Sequence, residues 1–275
     1  MKLSIITVNL NNRDGLQRTI DSVVSQTFRD FEWIVIDGGS TDGSKELIER
    51  YSDHFAYWVS EPDKGIYNAM NKGIRHAKGE YLQFLNSGDW LWDTDVLKVL
   101  FSDEHLNVDA DILYGKSLIH DTNGYQFEYG PHHDPFSPFA LISAPISHPS
   151  TFTQKDLFEK VGLFDEAYRI AGDLDFFFRA IILNHAKTHY IDRTITHFSG
   201  GGISMTNPQL AEEEKKIIIT KYMLHDCVYD YLQYLALQKC DTMLNEKRKA
   251  IAVYENLHKH WITRKIMHTL YRLIK

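Results

Sequence analysis

Phe84-Leu85-Asn86-Ser87-Gly88-Asp89 decides how the rest of the chain is read. The apolar run at 81–85 has the look of a buried strand, and it stops at a polar, glycine-containing turn that holds one carboxylate. In open α/β sheets, ligands bind in the crevice outside the ends of such strands. The position and chemistry of this turn suit a divalent cation and a diphosphate.

Working outward, strand and helix patterns alternate through the first hundred residues. Residues 3–8 form a β-branched strand, followed by Leu16, Ile20, Val23 and Val24 on one helical face. Residues 31–36 make a second strand, which ends at Asp37-Gly38-Gly39-Ser40-Thr41-Asp42-Gly43, a loop rich in turn and helix-capping residues. A helix with Leu47, Ile48 and Tyr51 comes next. A short strand near 55–59 leads to Glu61-Pro62-Asp63-Lys64-Gly65, then a helix aligns Ile66, Met70 and Ile74. Alternation of this kind predicts parallel pairing with right-handed crossovers.

From 109 to 149 the pattern changes to short strands, many aromatic residues and the Pro-rich loop His132-His133-Asp134-Pro135. That loop lacks the matching ligands of a metal site and reads as solvated. A helix spans 155–161, a second begins near Asp173, and strand-like 194–197 precedes Gly200-Gly201-Gly202. From Pro208 onward the chain reads as consecutive helices.

Bulk composition narrows the function. A 43% hydrophobic and 24% charged chain of 275 residues is an ordinary globular composition. A net charge of -7 argues against a general nucleic-acid binder, which needs clustered Lys and Arg. Cys227 and Cys240 have no metal-ligand spacing and suit a reducing cytosol. Met1-Lys2 leads directly into a strand-like run, so no signal peptide is expected, and no apolar stretch approaches the ~20 residues of a membrane span. The stretch 245–275 holds eight Lys or Arg against Glu246 and Glu255, interleaved with Trp261, Ile262, Ile266, Leu270, Leu273 and Ile274 at helical spacing. Two readings stand for it: a helix packed on the catalytic body, or one lying on an anionic membrane surface.

Three strand ends, at Asn9, Asp37 and Asn86, are polar and are expected side by side at one edge of the sheet. Asp37 could accept the imide N–H of uracil or the guanine edge, or serve only as a helix cap. Neither a Rossmann G-x-G-x-x-G nor a Walker A motif is present.

Taken in order, Ser4-Ile-Ile-Thr-Val-Asn, Val35-Ile-Asp-Gly-Gly-Ser-Thr-Asp-Gly-Ser, Glu61-Pro-Asp-Lys-Gly-Ile-Tyr-Asn-Ala-Met-Asn-Lys-Gly and Phe84-Leu-Asn-Ser-Gly-Asp resemble family 2 glycosyltransferases of the GT-A fold. Over roughly 3–204 the chain is similar to the colanic-acid type of polysaccharide-assembly enzyme. The resemblance implies an α/β GT-A fold, a mixed and mainly parallel sheet flanked by helices. It implies a domain at 1–205, divided into a nucleotide-binding half at 1–108 and an acceptor half at 109–205, with a helical extension at 206–275.

The resemblance further implies a nucleotide-sugar donor, UDP ahead of GDP, and inverting transfer to an acceptor hydroxyl of a saccharide in surface-polysaccharide assembly. The basic, apolar tail motivates the expectation that this saccharide is lipid-linked and met at the cytoplasmic face of the membrane. Thr7, Asn9 and Asp37 fall where the family holds the base and uridine, and Asp63, Lys64 and Gly65 on its nucleotide-contacting segment. Asn86, Ser87, Gly88 and Asp89 fall on the D-x-D-type turn that holds Mn2+ or Mg2+ against the diphosphate. Here Asn and Gly replace two acids and leave Asp89, an arrangement Mg2+ tolerates when substrate phosphates supply ligands.

Inverting transfer also needs a base. Asp173, in Ala171-Gly172-Asp173-Leu174-Asp175, matches the family's acidic motif, with Asp175 as the second candidate and helix capping as the structural alternative. His197 is read either as a further metal or phosphate contact or as a structural histidine. His148 is read as an acceptor-site element or as an ordinary loop residue. Gly200-Gly201-Gly202 suits a loop that closes over the donor. The rival to an enzyme is a nucleotide-sugar-binding or complex-organising subunit with weakened turnover.

Overall fold

The computed structural model describes residues 1–101, 108–121, 124–133 and 136–223, with Asn245, Arg248 and Lys249. The chain divides into two units, Met1–Tyr222 and Met223–Lys275. Cys227, Cys240, Asp134 and nearly all of the basic tail lie outside the described residues. Among the described residues, no helix is long and apolar enough to cross a membrane.

The strands are β1 Leu3–Asn9, β2 Phe31–Asp37, β3 Tyr57–Ser60, β4 Tyr81–Phe84, β5 Trp90–Leu91, β6 Ile112–His120, β7 Gln126–Tyr129, β8 Thr151–Gln154 and β9 Thr188–Ser199. The α-helices are α1 Arg13–Val24, α2 Ser44–Arg50, α3 Ile66–His76, α4 Val96–Leu100, α5 Pro138–Ser143, α6 Lys155–Val161, α7 Gly172–Phe177, α8 Ile203–Thr206 and α9 Pro208–Tyr222. A π-helical turn, Phe178–Leu183, continues α7. In the sheet the order is β3-β2-β1-β4-β8-β6-β9-β5, with β7 on β6. The first four strands are mutually parallel, and β8 joins them antiparallel to β4. The fold is the mixed α/β arrangement expected from the sequence.

Every residue of β1 is buried, as a central parallel strand covered on both faces requires. Two of its polar members, Ser4 and Thr7, are satisfied inside the sheet. Ser4 Oγ donates to Glu32 Oε1 at 2.6 Å, and the Trp33 indole N–H donates to Thr7 Oγ1 at 3.0 Å. Helix α3 lies so close to β1 that a Cβ at Gly73 would stand 2.4 Å from Ile6 Cγ2. One core cluster joins Leu3, Ile5, Trp33, Leu85, Leu113 and Phe152 across the strands, with Leu16 and Ile20 of α1 on it.

Two elements differ from the sequence reading. The strand expected at 55–59 begins at Tyr57, because Ser52–His54 forms a 3-10 turn that sends Phe55 edge-on to Trp33 at 4.8 Å. The helix Pro208–Tyr222, read from the sequence as part of a helical extension from 206, falls within the unit Met1–Tyr222.

Candidate active site

Parallel register sets Asn9 beside Asp37, and the Ser87 N–H donates to Val8 O at 3.0 Å, which brings the end of β4 alongside. The three polar strand ends therefore share one edge. Asp37 is fully buried. Its Oδ1 accepts from Asn9 Nδ2 at 2.7 Å and Ser40 Oγ at 2.5 Å, and its Oδ2 from Ser40 N at 2.9 Å and Ser60 Oγ at 2.6 Å. Burial pushes this carboxyl up, but the hydrogen bonds from Ser40, Ser60 and Asn9 outweigh it and hold it below the usual range. With four donors engaged, Asp37 ties β2 to β1 and β3. Thr7 likewise faces Trp33 inside the sheet. Neither is among the residues that line the cleft.

The turn after Leu85 is held by neutral groups. Gly88, at φ +106°, adopts the left-handed backbone that a side chain disfavours, and its N–H donates to Thr19 Oγ1 at 3.1 Å. Thr19 Oγ1 donates to Asp89 O at 2.7 Å, and Asn12 Nδ2 donates to Ser87 O at 2.9 Å. Asp89 is 5% exposed, and Ser199 N–H donates to its Oδ1 at 2.9 Å. Burial pushes the Asp89 carboxyl up to about 7, only partly offset by the Ser199 N–H.

Among the described residues, no group of three His, Cys, Asp or Glu could hold a metal. His197 does not complete such a set. Its ring stacks between Trp90 at 4.6 Å and Trp92 at 4.8 Å, and its Nδ1 lies 2.9 Å from His120 Nε2. Along β9, Phe198 and Ser199 reach the cleft, whereas His197 does not line it. The oxygens that do fit a hard cation are those of Asp89 and Asn86 Oδ1, a buried acceptor without a partner in the position of the missing acid.

The strand ends open into a cleft of about 940 Å³. Of the predicted residues, Asn9, Asp63, Lys64, Gly65, Asn86, Ser87 and Asp89 line it. Lys64 is joined there by Arg18 and Arg169, neither anticipated from the sequence, and the three cations suit a diphosphate. Asp63 Oδ1 accepts from Gly65 N at 2.8 Å. A Cβ at Gly38 would stand 2.5 Å from Asp63 Oδ2, so this glycine lets the loop carrying the acid close against β2.

Asp173 occupies the first turn of α7, whose N-cap is Ala171 with no side-chain cap. Tyr67 Oη, 2.5 Å from Ile170 O, also reaches Asp173 Oδ1 at 3.3 Å, and His148 Nδ1 stands 3.7 Å from Oδ2. Burial lowers the His148 pKa while the nearby Asp173 charge raises it, with burial dominant, so the imidazole is neutral at pH 7. Its Nε2 is buried without a partner. Asp175 is different. Fully buried, it accepts from Arg179 Nε at 2.8 Å, Tyr222 Oη at 2.8 Å and Lys221 Nζ at 3.1 Å, which makes it a structural acid. The sequence reading missed Thr19, Asn12 and Tyr67, because each acts through a contact between elements far apart in the chain.

The family described as Glycosyl transferase family 2 matches residues 4–182. An uncharacterized glycosyltransferase of Mycobacterium tuberculosis is 36% identical over 192 residues, covering 66% of this chain and 69% of the relative. A PGL/p-HBAD biosynthesis glycosyltransferase of Mycobacterium bovis is 31% identical over 209 residues, covering 74% and 79%. Staphylococcus aureus TarS in complex with UDP-GlcNAc shares the fold with a TM-score of 0.61 at 21% identity, over 82% of this chain and 69% of that one. A mannosyltransferase of Pyrobaculum calidifontis, in complex with GDP-Man and Mn2+, has a TM-score of 0.51 at 18% identity, over 71% and 56%. With the match spanning both the Asn86–Asp89 turn and Asp173, this chain belongs to glycosyltransferase family 2 and is an enzyme that transfers glycosyl groups.

Proposed function

We propose that the protein transfers a sugar, with inversion, from a UDP-sugar to a saccharide acceptor carried on a lipid, in the assembly of a surface polysaccharide or glycolipid. The observation that carries this reading is the cleft. It places Asp63, the cations Arg18, Lys64 and Arg169, and the Asn86–Asp89 turn around one volume suited to a nucleoside diphosphate. UDP is preferred to GDP because TarS, with higher structural similarity, is the neighbour that binds a UDP-sugar. The name of the M. bovis relative supports a lipid-linked acceptor.

Asp63 and Gly65 hold the nucleoside end, and the cations bind the diphosphate. Asp89 and Asn86 Oδ1 would hold Mn2+ or Mg2+, which when bound supplies Lewis-acid neutralisation of the leaving diphosphate. Asp173 takes the proton from the acceptor hydroxyl, with Tyr67 and His148 each addressing one carboxylate oxygen. The Gly200–202 segment, two of whose glycines line the cleft, excludes water over the donor.

The test is transfer and donor hydrolysis across UDP- and GDP-sugars with Mn2+, for wild type and Asp173→Asn. Turnover on a UDP-sugar that falls about 100-fold or more in Asp173→Asn, with UDP binding retained, supports the reading. Nucleotide binding without turnover in wild type would instead favour a complex-organising subunit. Contact of the tail with the inner membrane face belongs to the same proposal. Flotation with anionic vesicles, comparing the full chain with one ending at Tyr222, tests it, and equal binding would refute it.

A further inference from the structure

Helix α9 lies beyond the family match, which ends at 182, yet it carries the group that holds the loop in front of α7. Glu214, in the middle of α9, is 6% exposed. Its Oε1 accepts from Arg169 N at 2.8 Å, and its Oε2 from Ile170 N at 2.9 Å and Ala171 N at 2.8 Å. Three consecutive backbone N–H groups thus converge on one carboxylate, a concave arrangement of the kind that binds anions, here filled by the chain's own side chain. Such bonds to a buried charge are the strong ones, and a partner that is removed leaves orphan donors.

The gripped residues matter because of their neighbours. Ala171 is the N-cap of α7, and Asp173 stands two residues further on. On the opposite side of the same loop, the Ile170 carbonyl accepts from Tyr67, whose hydroxyl also reaches Asp173. The loop is therefore held through its N–H groups by Glu214 and through a carbonyl by Tyr67. Attachment of α9 to the body does not itself require Glu214. Lys221 and Tyr222 already bond Asp175, and the Tyr222 ring stacks on Phe178 at 5.6 Å.

We propose that Glu214 is a positioning residue for transfer: through the backbone of 169–171 it sets the place of Asp173, making α9 part of the catalytic unit. The inference rests on the reading of Asp173 as the base. A displacement on the order of 1 Å at a reacting group lowers turnover by ~100-fold, so the main effect is expected in kcat at saturating donor, with a smaller loss of UDP affinity through Arg169, which lines the cleft.

The experiment compares full-length wild type, Glu214→Ala, Glu214→Gln and Asp173→Asn in kcat, UDP affinity by calorimetry, and thermal midpoint. Glu214→Ala is expected to lose about 10-fold or more in kcat at saturating donor, to weaken UDP binding by a smaller factor, and to regain activity with formate or acetate, whose carboxylate refills the N–H cradle. Glu214→Gln keeps the volume and one acceptor oxygen but turns an amide N–H2 toward backbone donors. It should fall between wild type and Ala, and it carries the comparison should Ala fail to fold. A folded variant with kcat near wild type and only a lowered midpoint would overturn the proposal. Full activity in Asp173→Asn would instead overturn the assignment of the base.

Discussion

Asp89→Asn should stabilise the metal-free protein while abolishing its activity. The side chain is 5% exposed, and its oxygen partner, the Ser199 N–H, is equally satisfied by an amide oxygen, so packing and hydrogen bonding survive the change. What disappears is a buried charge. The carboxyl is pushed from 3.8 up to about 7 by burial. Between those values the folded state holds a proton that the unfolded state has released, so stability falls as pH rises through the window. At about 1.4 kcal/mol per unit, the loss reaches an upper value of about 4 kcal/mol above pH 7 and is under about 1 kcal/mol at pH 4. Asparagine has no such term. Even half of that value, at ~2–4 °C per kcal/mol, raises the thermal midpoint by about 4–8 °C at pH 8, with almost no gain at pH 4. The assay is thermal and urea unfolding of chelator-treated wild type and variant from pH 4 to 8, beside transfer activity with Mn2+. A gain that does not depend on pH, or no gain at pH 8, would refute the burial argument. Adding Mn2+ with UDP should reverse the order, because only the carboxylate then acquires a counter-charge.

Other outcomes follow from the same geometry. His197→Phe should keep metal-dependent transfer within about 3-fold of wild type, because the ring sits between two indoles and outside the cleft; selective loss of the Mn2+ response would restore His197 as a ligand. Burial lowers the His197 pKa below 6.5, so its unfolded state takes up protons first and stability is lost as pH falls below 6.5; the Phe variant should show a shallower acid-side decline in urea midpoint. Asp175→Ala removes the partner of Arg179 and Lys221 and should cost ~3–5 kcal/mol, a midpoint drop of roughly 6–20 °C, whereas Asp173→Asn should leave the midpoint within a few degrees and strike kcat. Phe152→Ala, at a fully buried site in the central cluster, should cost ~3–5 kcal/mol by calorimetry, with no change in donor preference.

The parallel half of the sheet was legible because hydrophobic period and turn residues are local signals. The strand ends at Asn9, Asp37 and Asn86 fell where alternation put them, and Asp63-Lys64-Gly65 and Asp89 reached the cleft. Which face a polar residue shows at a strand end was not legible. Thr7 and Asp37 occupy the expected positions, yet their oxygens are taken by Trp33 and by Ser40, Ser60 and Asn9, partners up to 28 residues away. The surroundings of His197 were not legible for a related reason, since nothing in Thr194-Ile195-Thr196-His197 reveals the two indoles of β5 and its flank. Glu214 was invisible on periodicity alone. A glutamate amid Glu212, Glu213 and Lys215 reads as a solvated helix face, and only the loop at 169–171 gives it a partner.

The Asn86–Asp89 turn owes its form to a threonine hydroxyl, an asparagine amide, a left-handed glycine and the backbone of β9. None of these carries charge. Form and ionic character are thus encoded separately, and substitution at position 86 can tune the pull on a cation without recasting the loop.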